Sequence, residues 1–352
     1  MRATIMHAIS GVSIMKNKQK IVSLNNLKVV FDIKQSFINE LFSKKRKIVK
    51  AVDGISLDIY EGEIVSLVGE SGSGKTTLGK AILNLVPISE GEVFFKGESV
   101  NFKNKKEVKK FRQKAQMIFQ DPYQTLDPKS LIFDAVVEPL EVNNMLKTVT
   151  ERKEKAVKAL EDSGMAPGED FLYRYPYELS GGQRQRAAIA GSIILNPDFI
   201  VADEPVSMLD VSIRTGILKL LLDLKNSRDL AFLFITHDLS LAWLISDRIA
   251  IMYLGKIMEI GTSDEIIKGC IHPYTKALLD IMPVPEVNRN RVRKVLTGEI
   301  PDPTEIPKGC RFNTRCEFAY DRCFVDEPEL TKISNDHFVA CHLATEDTNV
   351  KS

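Results

Sequence analysis

The stretch GESGSGKT, at residues 69–76, constrains the fold more than any other part of the sequence. It matches the pattern G-x-x-x-x-G-K-S/T in every fixed position. It follows the apolar strand pattern EIVSLVG and opens the helical pattern KTTLGKAILNLV, which we expect Pro87 to end. Glycines in such a loop let backbone N–H groups converge on phosphate oxygens, and the start of the helix adds partial positive charge. The sequence therefore predicts a strand, a phosphate-binding loop and a helix in succession.

Two side chains at the end of this loop suit a nucleotide and its metal ion. Lys75 places a cation near the transferred phosphate, and the hydroxyl of Thr76 can hold Mg²⁺. The predicted nucleotide contacts of the loop are Gly69, Ser71, Gly72, Ser73, Gly74, Lys75, Thr76 and Thr77.

Strand patterns alternate with helical patterns along most of the chain, which predicts an α/β fold with a parallel sheet. Between Asp121 and Ser180 the periodicity is mostly helical, and the stretch IHPYTKALLDI predicts a short helix. Ligands of parallel sheets bind beyond the carboxyl ends of the strands, so residues that follow strands are the candidates for chemistry. The strand patterns lie at 21–33, 51–60, 63–69, 91–98, 115–120, 198–205 and 230–238, with a hairpin pattern at 248–261.

Two adjacent carboxylates follow one of these strands. Asp203 closes the apolar run DFIVAD, and Glu204 comes next. Side chains at neighbouring positions project in different directions, so Asp203 can bind Mg²⁺, directly or through water, while Glu204 polarises an attacking water as general base. Alone, the pair would indicate two solvated acids at a strand end. Beside a phosphate loop, it predicts nucleotide hydrolysis.

Composition and charge exclude some classes of partner. The 352 residues carry a formal net charge of +1, which provides no general attraction to nucleic acid or anionic membranes. The basic run SKKRKIVK, at 43–50, is interpreted as a solvated connection between strands, with a nucleic-acid patch as the alternative. Apolar runs fall short of the roughly eighteen residues that a membrane span needs. Residues 1–19 are predicted to form a disordered extension.

Six motifs in a fixed order carry a resemblance to a known family. The set is the phosphate loop, FQDP with Gln120, LSGGQ at 179–183, FIVADEP, SMLD with Asp210 and THD with His237. A Ser-Gly-Gly turn alone is an anion-friendly helix start, and many such turns bind nothing. In this order, over roughly residues 20–345, the chain resembles the ATP-binding cassette (ABC) ATPases. The resemblance implies a P-loop NTPase nucleotide-binding domain with a mixed-sheet core, an antiparallel β subdomain and a helical subdomain.

The resemblance also implies roles for individual residues. Such domains work as head-to-tail dimers, in which ATP on the phosphate loop of one subunit is capped by the LSGGQ signature of the other. Gln120 would contact Mg²⁺ and the attacking water, His237 the γ-phosphate, and Asp210 would connect the two sites. The capping residues would be Ser180, Gly181, Gly182 and Gln183.

Phe31 and Met208 are two further positions at which the sequence can be compared with the family pattern. Phe31 lies just after the first strand pattern, where the family places the aromatic side chain that stacks on adenine; an ordinary core residue is the alternative. Met208 stands in SMLD where a small alanine is usual, a departure that does not touch the chemistry.

Several longer stretches narrow the resemblance to the ATPase subunits of oligopeptide and dipeptide importers. These stretches are QMIFQDPYQTLDP, ADEPVSMLDVSI, LFITHDLSLA and HPYTKALLDIMPVPE. The insertion between the first two strands, together with QDPYQTLDP and DEPVS, is closer to the second of the two ATPase subunits in those systems. The implied partners are a different ATPase subunit, two transmembrane permeases and an external solute-binding protein. The implied location is the cytoplasmic face of the cell membrane, as a peripheral subunit.

Other functions remain as alternatives at this point. The chain could serve an importer of oligosaccharides or of another solute. A nucleic-acid-associated ABC ATPase is disfavoured, because such proteins usually carry two cassettes or a long coiled-coil insertion, and an exporter ATPase is disfavoured because exporters often fuse the cassette to membrane helices.

Four cysteines near the end of the sequence have the spacing C-x5-C-x6-C-x17-C. Zinc sites usually use two short C-x2-4-C pairs, which are missing here, whereas wider loops suit a four-iron cubane cluster. The resemblance to peptide-importer ATPases implies such a cluster; zinc and four ordinary thiols are the alternatives. His337 and His342 could replace a ligand, and Cys270 lies outside the set. The candidate ligands are Cys310, Cys316, Cys323 and Cys341.

The domain organisation follows from these patterns. We expect an ABC ATPase domain over 20–282, with its helical subdomain at about 121–180, and a peptide-importer-type C-terminal segment over 283–352.

Overall fold

The computed structural model describes residues 18–33, 47–282 and 298–344. Most of the predicted extension at 1–19, the residues 34–46 and the predicted boundary at Pro283 lie outside these ranges. The strands are β1 Lys20–Ile33, β2 Lys47–Tyr60, β3 Ile64–Val68, β4 Glu90–Phe95, β5 Glu98–Ser99, β6 Ala115–Ile118, β7 Phe199–Asp203, β8 Ala231–Thr236, β9 Arg248–Tyr253, β10 Lys256–Thr262, β11 Thr331–Lys332 and β12 Phe338–Val339. The α-helices are α1 Lys75–Ile82, α2 Lys105–Lys114, α3 Pro122–Thr125, α4 Ile132–Val142, α5 Val149–Asp162, α6 Glu169–Leu172, α7 Gly181–Ile193, α8 Val211–Arg228, α9 Leu239–Ile245, α10 Ser263–Gly269 and α11 Pro273–Ile281.

Within the described residues, the larger of two sheets has eight strands in the order β11-β12-β10-β9-β3-β8-β7-β6. The strands β6, β7, β8, β3 and β9 run parallel, and β10, β12 and β11 extend the sheet with antiparallel pairings. Every residue of β3, β7 and β8 is buried, as expected for parallel strands covered on both faces. The predicted parallel sheet and the predicted hairpin at 248–261 are confirmed.

The smaller sheet is antiparallel, with four strands in the order β2-β1-β4-β5. Its inner face shares one apolar core with the larger sheet, since Leu27 and Val52 pack in the same cluster as Leu67 and Ile235. This layer places the end of β1 and the start of β2 beside the phosphate loop.

A group of helices forms a separate apolar core. Residues of α4, α5 and α7 supply it, including Val136, Leu160 and Ile194, which follows α7 directly. Thr148 and Glu151 start α5 with a reciprocal pair of hydrogen bonds between side chain and backbone. The helical core therefore includes the helix that follows the LSGGQ motif.

The helix after the phosphate loop is shorter than predicted. It ends at Ile82, and Asn84 takes a left-handed backbone with φ of 53°. The amide of Asn84 donates to the Ala81 carbonyl, and that of Leu85 to the Lys80 carbonyl, which satisfies the last turn. The expectation that Pro87 ends the helix is wrong, because asparagine closes the turn first.

The described residues after the gap, 298–344, form what we call the C-terminal lobe. Its strand β12 pairs with β10 and so extends the larger sheet, which the sequence did not predict. Cys310, Phe312 and Cys323 of the lobe pack in one apolar cluster with Tyr253 and Tyr274. In the described ranges, we find no helix with the length and hydropathy needed to cross a bilayer.

Candidate active site

The phosphate loop connects β3 to α1 at the carboxyl end of the parallel strands. The Lys75 ammonium donates to the carbonyls of Gly69 at 2.8 Å and Glu70 at 2.9 Å. Burial lowers the pKa of Lys75, against the opposing effect of the Glu204 and Asp203 carboxylates. Lys75 is thus folded back on its own loop, within reach of the space that phosphates would occupy.

Gly74 shows why this loop needs glycine. Its φ is 102°, and a Cβ added there would lie 2.0 Å from the Ala51 carbonyl oxygen. The close approach of the Ala51 carbonyl therefore excludes every side chain at this position.

A hydroxyl and a carboxylate meet beside the loop. Thr76 Oγ1 donates to Asp203 Oδ1 at 2.9 Å, which joins the first turn of α1 to the end of β7. Burial raises the pKa of Asp203, and the hydrogen bond from Thr76 opposes that shift. Hydroxyl and carboxylate oxygens are the hard ligands that Mg²⁺ prefers, so this pair suits the ion that accompanies a nucleotide.

Glu204 lies between two other predicted site residues. Its Oε1 contacts His237 Nδ1 at 3.0 Å, and its Oε2 accepts from Gln120 Nε2 at 3.3 Å. The three side chains come from the ends of β7, β6 and β8, which are neighbours in the sheet. This arrangement fixes the Glu204 carboxylate between an amide and an imidazole at the carboxyl end of the sheet.

These elements surround a cavity of about 450 Å³. Phe31 of β1 lies on its wall. Pro303 and Ile306 of the C-terminal lobe also line it, a contribution that the sequence analysis missed. The lining residues among the predicted site positions are Phe31, Ser71, Gly72, Gly74, Lys75, Thr76, Thr77, Gln120 and Glu204.

The LSGGQ residues do not line this cavity. Ser180 and Gln183 instead form a capping box at the start of α7: Ser180 Oγ accepts from the Gln183 amide at 3.3 Å, and Gln183 Oε1 accepts from the Ser180 amide at 2.9 Å. Asp210 starts α8 without a capping hydrogen bond from its side chain, and Met208 is exposed. Neither residue lines the cavity.

A second set of contacts holds the phosphate loop from outside the cavity. Arg315 of the C-terminal lobe forms two hydrogen bonds with the carboxylate of Glu70, at 2.6 and 3.1 Å. The Glu70 amide donates to Tyr274 Oη at 3.0 Å. The hydrogen bonds to Glu70 raise the pKa of Arg315, so the guanidinium is a permanent cation here. Neither partner lies near the loop in the chain, so no local sequence pattern predicts these contacts.

The predicted cysteine set lies within the C-terminal lobe. The Cys310 amide donates to the Cys323 carbonyl at 2.9 Å. Burial raises the pKa of Cys310 to about 12, and the neighbouring Cys341, Cys323 and Cys316 add to the shift. Cys310, Cys316 and Cys323 pack in one apolar cluster, and Cys341 packs in another cluster. Over the ranges that the structure describes, however, no three or more His, Cys, Asp or Glu side chains are arranged to hold a metal ion.

The two histidines near the last cysteine have other contacts. His337 Nε2 lies 2.8 Å from Glu259 Oε1, and His342 Nε2 lies 2.9 Å from the Asp326 carbonyl oxygen. Cys270 lies apart from the set on the sequence, and burial raises its pKa to about 11.

Two family models match the chain. Residues 52–207 match the ABC transporter family, and residues 258–323 match the C-terminal region of oligopeptide/dipeptide transporters. The first match includes the phosphate loop, the LSGGQ motif and Glu204. The second includes three of the four clustered cysteines and ends at Cys323.

Known proteins resemble the chain over most of its length. It is 44% identical to the oligopeptide transport ATP-binding protein AppF of Bacillus subtilis, covering 93% of this chain and 98% of that one. It is 41% identical to the oligopeptide transport ATP-binding protein OppF of Haemophilus influenzae, covering 94% and 99%.

Solved cassette structures share the fold. The ATP-binding cassette MJ0796, solved as a dimer in a post-hydrolysis state with ADP and Pi, superposes with a TM-score of 0.59 at 30% identity. That alignment covers 69% of this chain and 99% of MJ0796. The motif order, the geometry of the site and the similarity to these relatives agree. The chain belongs to the ABC transporter ATPases that carry the oligopeptide/dipeptide transporter C-terminal region.

Proposed function

We propose that this ATPase powers the import of oligopeptides or dipeptides through a membrane complex. The observation that carries the proposal is the convergence of Lys75, Thr76, Gln120 and Glu204 at one cavity. Asp203 is bonded to Thr76 beside this cavity, and the relatives of the chain are named oligopeptide transport ATP-binding proteins. The site supplies the hydrolysis, and the similarity to those relatives supports the class of solute.

The residues of the cavity divide the chemistry of ATP hydrolysis. The loop amides and Lys75 would bind the phosphates, and Phe31 would stack on the adenine ring. Thr76, Asp203 and Gln120 would hold Mg²⁺, which neutralises charge on the phosphate oxygens when bound. Glu204 would take the proton of the attacking water, positioned by its contacts with Gln120 and His237. His237 would contact the γ-phosphate.

We further propose that a second ATPase subunit completes the site. The LSGGQ residues lie outside the cavity of their own chain, so a partner would have to supply the equivalent residues. The capping box of Ser180 and Gln183 keeps the start of α7 ordered, and a helix N-terminus attracts the negative charge of a γ-phosphate. Asp210, at the start of α8, would connect the two sites. A different chain as partner is the version we favour.

The remaining partners follow from the same proposal. Two transmembrane permeases would carry the solute path, a solute-binding protein would act on the other side of the membrane, and this chain would sit at the cytoplasmic face. Nucleic acid has no part in the proposal. The helices that follow Gln120 would contact the permeases.

Reconstitution with the permeases encoded by neighbouring genes tests the function. The chain should co-purify with them, and the ATPase rate of the complex in lipid should rise when a binding protein loaded with oligopeptide is added. The same complex with Glu204→Gln serves as the control, since it should assemble without turnover. Stimulation only by an oligosaccharide-loaded binding protein would support the alternative solute. Stimulation by nucleic acid without permease binding would overturn import altogether.

We also propose that the four cysteines hold a four-iron cluster that cross-links the C-terminal lobe. The packing of Cys310, Cys316 and Cys323 in one apolar cluster, and the fourth cysteine in the same lobe, support this. Each thiol would have to lose its proton on binding. Protein purified without oxygen should be brown and contain iron and sulfide. Cys316→Ser should lose the colour, whereas Cys270→Ser should keep it. A colourless preparation with stoichiometric zinc would favour the zinc alternative, and one without metal would refute both.

A further inference from the structure

The phosphate loop has a partner that comes from the far end of the chain. Arg315 of the C-terminal lobe binds the carboxylate of Glu70, the second residue of the GESGSGKT loop, through both terminal nitrogens. Only 4% of the Arg315 side chain is exposed, against 24% for Glu70. The geometry is the paired fork that arginine forms with a carboxylate, which fixes direction as well as charge.

Glu70 is held at three points, and Arg315 supplies one of them. Its backbone amide donates to Tyr274 Oη at 3.0 Å, and its carbonyl accepts from Lys75 Nζ at 2.9 Å. The carbonyl is thus hydrogen-bonded to Lys75, the lysine proposed to bind the phosphates. A shift of the Glu70 carboxylate would move the loop at the position where Lys75 is anchored.

The surroundings of Arg315 disfavour its separation from this carboxylate. Its guanidinium lies 5.8 Å from the ring centroid of Tyr253 and 5.9 Å from that of Phe312, and these two rings pack edge to face. A buried cation without its partner is strongly unfavourable, so the lobe and the loop are constrained to move together.

The lobe also reaches the nucleotide cavity itself. Pro303 and Ile306 line the same cavity as Phe31 and Gly72. The lobe therefore contacts the nucleotide site in two independent places, at the wall of the cavity and behind the loop.

We propose that Arg315 is a positioning residue of the phosphate loop, and that the C-terminal lobe in this way sets the affinity of the site for ATP. The coupling is reciprocal. If an ordered lobe raises the affinity for ATP, bound nucleotide must in turn stabilise the ordered lobe. The alternative is that the lobe only packs on the ATPase, with no effect on the site beyond overall stability.

Nucleotide binding by variants of the full-length chain separates these possibilities. Arg315→Ala and Glu70→Gln should each raise the Kd for ATP by about fivefold or more, the range typical of coupled sites. Arg315→Lys, which keeps the charge and loses the fork, should weaken binding too. Arg322→Ala removes an exposed arginine of the same lobe and should leave the Kd within about twofold, below that range.

The double variant checks that the two residues act through one another. Because they form one pair, Glu70→Gln with Arg315→Ala should weaken ATP binding no more than Arg315→Ala alone. Additive effects would show that each residue acts separately and would overturn the proposal. If Arg315→Ala fails to fold, Glu70→Gln decides alone, since it changes no residue of the lobe.

Hydrogen exchange distinguishes the positioning role from a purely structural one, because in the structural case nucleotide would not change the exchange of the lobe. Peptides spanning 309–325 should exchange more slowly when ADP is added to the unaltered protein. In Glu70→Gln, measured far below its melting temperature, ADP should give much less protection there. Equal protection in both proteins, or a Kd for ATP within about twofold of the original in Glu70→Gln, would refute the positioning role.

Discussion

Glu204 occupies a backbone conformation that glutamate rarely adopts. Its φ is 44°, in the left-handed region, and its amide donates to the Ile235 carbonyl at 2.9 Å. Such a conformation costs about 1–3 kcal/mol and persists only where the surroundings impose it. Here it turns the chain sharply after β7 and directs the carboxylate towards His237 and Gln120. The strain is therefore located at the residue that we assign as general base.

The role of Glu204 is tested by removing its charge and keeping its shape. Glu204→Gln should still bind ATP, because the phosphate contacts belong to the loop, while the hydrolysis rate falls by about 10²–10⁴-fold. ATP affinity is measured on the purified chain, and turnover on the complex reconstituted with the permeases and the second ATPase subunit. Glu98→Gln, an exposed carboxylate on β5, is the control and should hydrolyse normally. Unchanged turnover in Glu204→Gln would contradict the assignment.

At the scale of single elements, local patterns predicted most of the structure that positions the site. The apolar runs identified β3, β7 and β8, and the adjacency of Asp203 and Glu204 placed both at the end of one strand. The end of α1 was missed because Asn84 closes the helix through left-handed backbone geometry, which is only one of several conformations asparagine accepts. The strands β11 and β12 have two residues each, too few for any periodic pattern.

The signature helix α7 depends on a glycine for its packing. A Cβ added to Gly182 would lie 2.6 Å from Ile213 Cγ2, a methyl group on a stiff β-branched side chain of α8. One at Gly181 would meet Leu209 at 3.7 Å, an ordinary contact. The two neighbouring glycines therefore differ in what they do for the fold.

Alanine substitutions should show this difference. Gly182→Ala should destabilise the protein by about 1–3 kcal/mol, since it forces α7 away from α8, whereas Gly181→Ala should leave stability nearly unchanged. The melting temperatures of both variants, measured without nucleotide so that the chain is not held in a dimer, check this. Equal melting temperatures would mean that α7 and α8 separate without cost.

At the scale of the whole molecule, the contacts between the C-terminal lobe and the ATPase could not be read from the sequence. Arg315 and Glu70 are 245 positions apart, and Arg311 and Asp53 are 258 positions apart. No local pattern pairs residues at such distances; only the folded chain brings them together. The cavity wall formed by Pro303 and Ile306 was missed for the same reason.

The pair of Arg311 and Asp53 is another ionic contact between the lobe and the ATPase. Arg311 binds the Asp53 carboxylate and the Leu254 carbonyl, and only 5% of its side chain is exposed. Burial acts to raise the pKa of Asp53, but the hydrogen bond and charge of Arg311, together with the charges of Lys50 and Lys256, outweigh it, so the pKa lies below its ordinary value of 3.8. A carboxyl group with a lowered pKa stabilises the fold above its ordinary pKa, and this stabilisation disappears as the pH falls through the lower folded value.

Asp53→Asn should therefore destabilise the protein at neutral pH, and this loss of stability should shrink only as the pH becomes acidic. At pH 7 the variant should lose about 1–3 kcal/mol, because it leaves the Arg311 cation facing a neutral amide. The gap from the unaltered protein should stay constant between about pH 5 and 8 and narrow below about pH 4, where Asp53 itself becomes protonated. Denaturant unfolding across this range measures it, with the exposed Asp336→Asn as control. A gap that closes between pH 6 and 8 would show that another group carries the charge opposite Arg311.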